Sequence, residues 1–384
     1  MKKTMLIALS LLCSVAMAET KLNFSGDAYV RGYFKNGFSP DKERAINQFF
    51  RLNADAKVDD NLTVKTGLVL SGNSWEGDMH TTDSVGGIHE DGFGKGDTTR
   101  LDHAQIEYTK DGWVTSVGRM AVTSPGSFLT SDDRRDRVQV LKIFPSYDVL
   151  ALVYDKRYEG TKTNSRDDLD MYSVNYYGTW GQFKYALQSG YWIQKNPAGV
   201  SLDNIKQITP QLVTTIAGIN LDFYYTILWG GSTYYKNDHH SMALKLSKDL
   251  EVVKAELETI MTRNGGLIAG GFDSLSSIVN NSADHNQSAI KLRTIGFGLG
   301  AADADEYMSM ARFSKAVMPE LTLSLGAGVA KFYVSASNKA EKNTIVDATA
   351  KYDFSKALAL NAKYGKFFGD NKDHAGSLTL SANF

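Results

Sequence analysis

The sequence predicts an all-β chain, a transmembrane antiparallel up-and-down β-barrel of about 18 strands, with about 16 as the alternative if one hairpin is missing. Three observations carry that expectation. Apolar and polar residues alternate with period two in segment after segment, up to the last residue. Connections between these segments alternate between short turns and long loops rich in Gly, Asn, Asp and Ser. Past the first eighteen residues, no stretch approaches the roughly 18 uninterrupted apolar residues that a spanning helix needs.

The N-terminus reads as an export signal, expected over residues 1–18 and leaving 19–384 as one barrel domain. Lys2 and Lys3 form a basic start, MLIALSLLCSV an apolar centre, and Ala16-Met17-Ala18 a small-residue cleavage site. Cys13, the single cysteine, follows Leu12, where a lipoprotein signal requires a small residue. Loss of the signal therefore leaves a chain without thiol or disulfide chemistry. Removing Lys2 and Lys3 leaves 40 Lys+Arg against 43 Asp+Glu, a formal charge of −3. That balance excludes nucleic acid, which requires a basic stripe, as a partner.

The first strand is expected in KLNFSGDAYVRGYF, where Leu22, Phe24, Ala28, Val30 and Phe34 share one face and Asn23, Asp27, Tyr29 and Arg31 the other. In FFRLNADAKV, Phe50, Leu52, Ala54, Ala56 and Val58 alternate with Arg51, Asn53, Asp55 and Lys57. Val346, Ala348, Ala350, Tyr352 and Phe354 alternate with Asp347, Thr349, Lys351 and Asp353, and SLTLSANF closes the chain on Phe384. In a large membrane barrel the apolar face meets lipid and the polar face a wet lumen. A charge on the lipid face near the midplane costs about 2–4 kcal/mol, and the one-sided Arg51, Asp55, Lys254, Glu256, Lys351 and Lys363 avoid it.

Short turns are expected at Asp59–Asn61, Lys110–Gly112, Pro145–Tyr147 and Gly178-Thr179, and near Asn220-Leu221, Lys248-Asp249, Met318-Pro319 and Phe354-Ser355. Long loops lie between them, notably 73–97, 121–136, 195–209 and 264–304, the last being one loop or a loop hiding another strand pair. Eight turns and nine loops give eighteen strands. Aromatic pairs such as Tyr33-Phe34, Tyr176-Tyr177 and Phe367-Phe368 stand near strand ends, where interfacial girdles form. Barrels of 16–18 strands leave an aqueous channel.

An open tube of that width discriminates poorly, so the loop over residues 118–138, GRMAVTSPGSFLTSDDRRDRV, is a candidate constriction. It begins with Arg119, turns at Pro125-Gly126, carries Phe128-Leu129 as an anchor, and ends in a run of six charges in seven positions. Alternative readings of that run are local pairing at the loop base and an exposed surface loop. The arrangement resembles the constriction loop of Gram-negative outer-membrane porins, and the alternating C-terminal strand closed by Phe384 resembles their assembly signal. The resemblance implies a bacterial outer-membrane channel for passive diffusion of small hydrophilic solutes and ions. It also implies the barrel-assembly machinery and outer-membrane lipids as partners, and a homotrimer. By position, Asp132, Asp133 and Asp136, with Arg119, Arg134, Arg135 and Arg137, would form the constriction, facing a basic wall of Arg31, Arg51 and Lys57. General porins separate the two signs, whereas this run interleaves them. A substrate-specific channel for oligosaccharides or an anionic polymer is the alternative function.

Nothing in the sequence requires a cofactor, metal or catalytic centre. His80, His89, His103, His239, His240, His285 and His374 are scattered, and no G-x-S-x-G nucleophile motif is present. Loop 73–97 gathers Glu76, Asp78, His80, Asp83, His89, Glu90, Asp91 and Asp97 without the spacing of an EF-hand, so an acidic external loop is its simplest reading.

Overall fold

A computed structural model describes residues 20–37, 43–75, 99–159, 168–194, 204–230, 238–269, 272, 274–280, 290–296, 305–334 and 339–384. The expected signal over 1–18 lies outside them, as does nearly all of the acidic loop, from Glu76 to Thr98. The strands are β1 (Lys21–Asn36), β2 (Glu43–Lys57), β3 (Leu62–Ser74), β4 (Arg100–Lys110), β5 (Trp113–Val122) and β6 (Asp133–Ile143). They continue as β7 (Val149–Tyr158), β8 (Leu169–Trp180), β9 (Phe183–Gln194), β10 (Ile205–Ile216), β11 (Ile219–Trp229) and β12 (His239–Asp249). The last six are β13 (Lys254–Arg263), β14 (Glu306–Met318), β15 (Leu321–Val334), β16 (Lys339–Asp353), β17 (Leu358–Gly369) and β18 (His374–Asn383).

Each strand pairs antiparallel with its chain neighbours, and β1 pairs with β18, so the 18-stranded sheet closes on itself. Closure gives every strand a partner on both sides, which hydrocarbon demands of a polar backbone. The seam is finished by the last residue: Gly26 and Phe384 exchange backbone hydrogen bonds of 2.7 and 3.0 Å. The Phe384 ring lies tilted beside Phe50 on the outer face, with centroids 5.7 Å apart.

Burial is inside out relative to a soluble protein. Asp155, Glu258 and Asp347 are at most 1% exposed, while Leu325 is 66% and Phe24 60% exposed. Apolar side chains outside and charges inside match a lipid-facing wall around a polar interior. Strand β1 begins and β18 ends on the short-turn side, as expected for a barrel whose long loops are external. Of the two-residue turns, Asp111-Gly112 and Ala217-Gly218 have both residues at positive φ, 50° and 74°, and 51° and 75°. This is the type I′ geometry whose twist suits a tight hairpin. The second of these and the turn at Gly181 are displaced by a few residues from the positions expected from sequence, because the flanking apolar and aromatic runs extend the strands.

Residues 264–305 form a single connection between β13 and β14, with no further strand pair among its described residues. Its apolar residues Ile268, Phe272, Ile278, Val279, Ile290 and Ile295 are at most 2% exposed and pack against inward-facing wall residues such as Ile260, Met308, Met310, Phe332 and Phe367. Its described residues are therefore folded into the barrel and fill part of its interior.

Candidate pore constriction

The run Ser131–Arg137 is divided between loop and strand. The connection between β5 and β6 spans only residues 123–132, and β6 begins at Asp133. Ser124 closes this compact loop: its Oγ accepts the Leu129 and Thr130 N–H groups at 2.9 and 3.1 Å. From the tip, Phe128 reaches the inner wall at Tyr224 on β11, five strands further round, with ring centroids 5.2 Å apart. Phe272 of the inward segment lies 5.3 Å from the same ring, and the Ala269 N–H donates to the Phe128 carbonyl at 2.8 Å. Loop 123–132 and segment 264–305 therefore pack on each other inside the barrel.

Strand parity sorts the charges. Arg119 on β5 faces Asp136 on β6 in the outward-pointing register, where they pair at 3.5 Å with side chains 44% and 61% exposed. Both were expected at the constriction from sequence; the structure corrects this and puts them on the outer face, because β6 starts early enough for alternation to turn Asp136 outward. Asp133, Arg135 and Arg137 point inward. The Asp155 carboxylate on β7 accepts from Arg135 Nη1 at 2.9 Å and from Arg137 Nε and Nη2 at 2.5 and 2.9 Å. Asp133 accepts from Arg135 at 2.9 Å and Arg157 at 3.2 Å.

A second cluster stands beside the first. Arg51 on β2 donates to Asp27 at 2.7 Å and to Asp102 at 3.1 Å. Arg134, outward by parity, instead folds back to Asp102 at 2.7 Å and Asp132 at 2.7 Å. Asp102 reaches this position through a β-bulge. Gly67 pairs with His103 and Leu68 with Leu101, so Asp102 is the extra residue and projects inward beside His103. Asp102, Asp155 and Arg157 were not singled out from sequence. Period-two alternation marks Asp155 and Arg157 as inward, but nothing local announces the bulge.

The expected basic wall does not form one unit. Arg31 is inward and buried, donating to Thr379 at 3.2 Å and lying 4.7 Å from the Tyr29 ring centre. Lys57 ends β2 at the short-turn side, where it pairs with Asp60 at 3.1 Å. Arg51 joins the charged network through Asp27 and Asp102. Nor are the two signs on opposite walls: the arginines and carboxylates alternate along one stretch, β1 to β7. Facing them is the inward segment, tied down by wall carboxylates. The Leu275 N–H donates to Glu258 at 2.5 Å and the Ser277 N–H to Asp347 at 2.6 Å, and Asp347 also receives Arg312 at 2.7 Å. Among the described histidines, His103 lies 3.3 Å from Asp102, His240 accepts or donates to the Tyr225 hydroxyl at 2.6 Å, and His374 faces outward.

A closed 18-stranded antiparallel barrel is the fold of solved outer-membrane porins. Acinetobacter baumannii OccAB4 superposes with a TM-score of 0.64 at 11% identity, over 96% of this chain and 99% of that one. A BenF-like porin from Pseudomonas fluorescens gives 0.64 at 12%, over 96% and 99%. This chain has the outer-membrane porin fold. Pseudomonas aeruginosa OpdK, solved with vanillate, gives 0.63 at 14%, over 94% and 98%. The sequence itself matches no protein-family profile and no curated protein, so the likeness is one of fold.

Proposed function

We propose that the chain is an outer-membrane porin, a water-filled channel through which small hydrophilic solutes and ions diffuse passively, and that it is not an enzyme. The observation that carries this reading is the inside-out barrel whose inner face holds two adjacent arginine–carboxylate clusters, a ladder from Asp27 and Arg51 to Asp155 and Arg157. Such a wall replaces part of a solute's hydration shell with fixed dipoles and charges, and rejects apolar solutes, which cannot repay its dehydration. Solutes pass between this ladder and the docked segment 264–305. The barrel-assembly machinery, with Phe384 as its signal, belongs to the same proposal. The trimer implied by the general-porin resemblance draws no support from these relatives and is not part of it.

One observation favours a narrower selectivity. On β6 and β7 three guanidiniums, Arg135, Arg137 and Arg157, face two carboxylates, Asp133 and Asp155. That excess of one positive charge suits a small organic anion, and OpdK, of the same fold, was solved with vanillate, an aromatic carboxylate. It suits a monovalent acid better than an anionic polymer, which would need an unpaired basic track. Planar-bilayer recordings in a salt gradient test both readings. Discrete conductance steps are expected from the wild type. Asp133→Asn with Asp155→Asn should move the reversal potential toward anions, and Arg135→Gln with Arg157→Gln toward cations. Absence of steps would sink the channel; steps with a reversal potential unmoved by either pair would remove the ladder from the conduction path.

A further inference from the structure

The outer face of the barrel is not uniform around its rim. On β5 to β8 the outward charges alternate and pair: Arg119 with Asp136 at 3.5 Å, and Lys156 with Asp168 and Asp170 at 2.6 and 3.5 Å. Across the β17–β18–β1–β2 seam the corresponding charges are cations. Registers align Lys366 with His374 in one outward row, and Tyr364, Gly376, Phe34 and Arg44 in the next. Lys372 is exposed in the connection just above. Among the described residues Arg44, Lys366 and Lys372 form no ion pair. Nearby acids are engaged elsewhere: Glu43 with Lys35 at 3.0 Å, Asp373 with Arg293 at 3.3 Å, and Asp370 with the Lys342 N–H at 2.8 Å.

Directly beneath this rim the lipid-facing surface is indented. Phe34, Tyr364 and His374 form a three-ring cluster with centroids 5.9–6.4 Å apart. Below it lies a groove of about 690 Å³, bordered by Gly32, Phe34, Tyr364, Gly376 and Leu378, with Arg44 at its mouth. A side chain built at Gly32 would meet nothing within 4 Å, so the groove is open there. A second groove, of about 380 Å³, continues along the same seam over Ala28, Val30, Leu380 and Ala382. His374 to Ala382 is eight residues, about 26 Å along a strand. At a tilt of roughly 45° that is about 19 Å of depth, more than half of the hydrocarbon core.

We propose that this seam holds one phosphate-bearing, acylated lipid of the outer leaflet, its phosphate between Arg44, Lys366 and Lys372 and an acyl chain in the two grooves. The inference rests on the membrane-barrel reading but not on what the pore conducts. Charge complementarity selects an anionic headgroup, since each surface cation attracts one, and the apolar groove requires a chain rather than a free phosphate. Native mass spectrometry of the detergent-solubilised full-length barrel tests it. The probes are bis-phosphorylated hexa-acyl lipid A, the same lipid without phosphates, phosphatidylethanolamine, and inorganic phosphate. The wild type should retain the bis-phosphorylated lipid in preference to the other three. Arg44→Gln/Lys366→Gln/Lys372→Gln should weaken its retention about tenfold or more. Gly32→Trp, which fills the groove and leaves the charges, should weaken it too, whereas Arg119→Gln on the far rim should not. Heat-modified gel mobility verifies that each variant is a folded barrel. Equal retention of the dephosphorylated lipid, equal losses from the far-rim variant, or no loss from either seam variant would overturn the proposal. A barrel that binds the lipid in this pattern yet passes no current would refute the channel function and leave this site standing.

Discussion

At the scale of single residues, the chemistry is decided by which carboxylates have cationic or hydroxyl partners. Asp148 illustrates this outside the membrane, in the turn between β6 and β7. It accepts from the Tyr176 hydroxyl at 2.9 Å, the Ser146 hydroxyl at 3.0 Å and the Thr179 N–H at 3.3 Å. These donors, Tyr176 first, hold its carboxyl below the ordinary carboxylate range. A folded-state value below the unfolded one stabilises the barrel above about pH 4 and stops doing so as pH falls through the lowered value. Asp148→Asn should therefore have a lower denaturant midpoint than the wild type at pH 7, the gap closing on acidification. A gap independent of pH would show that the carboxylate's charge is irrelevant there. The luminal charges follow the same logic in alternation, and their sequence reading failed where it ignored parity. SDDRRDR reads in sequence as one loop element, but a strand starting at Asp133 sends Arg135 and Arg137 inward and Asp136 outward. Asp102 was invisible for another reason: the bulge that turns it inward depends on its pairing with β3, which no local pattern encodes.

At the scale of elements, strand number and face were legible because alternation and turn chemistry are local properties. Eight turns and nine loops were counted, and eighteen strands are present. Turn positions were less legible where an aromatic or β-branched run continues through the bend, as around Ala217-Gly218. That turn carries a non-glycine residue at φ 51°. A left-handed conformation costs an L-residue roughly 1–2 kcal/mol, and Asn or Gly relieves most of it at a type I′ turn. Ala217→Gly or Ala217→Asn should stabilise the barrel by about 0.5–1 kcal/mol, seen as a higher denaturant midpoint. An unchanged or lower midpoint would mean that the turn is unstrained. The inward segment was the largest element missed. In an external loop, Ile268, Phe272, Ile278, Val279, Ile290, Leu292 and Ile295 would be costly exposures. Their density in 264–305 was the available signal that this connection is buried.

At the scale of the whole molecule, the barrel is an apolar outer surface around a divided interior. One part of the wall carries the charged ladder, and the other is covered by segment 264–305, pinned with loop 123–132 through Phe128. The fold class followed from sequence because a closed sheet in lipid has few solutions. The division of the interior did not, because it arises from tertiary contacts that no local pattern encodes, such as Ser277 with Asp347 and Phe128 with Phe272. The central claim is that solutes cross beside a docked segment held by Glu258, Asp347 and Arg312. Single-channel conductance in symmetric salt, compared between the wild type and Glu258→Gln/Asp347→Asn, tests it most directly. Removing the two carboxylates that accept the Leu275 and Ser277 N–H groups should loosen the segment, giving larger or multiple conductance levels from a barrel that still shows heat-modified mobility. Identical single-level conductance in both proteins would contradict the claim and place the narrowest point elsewhere.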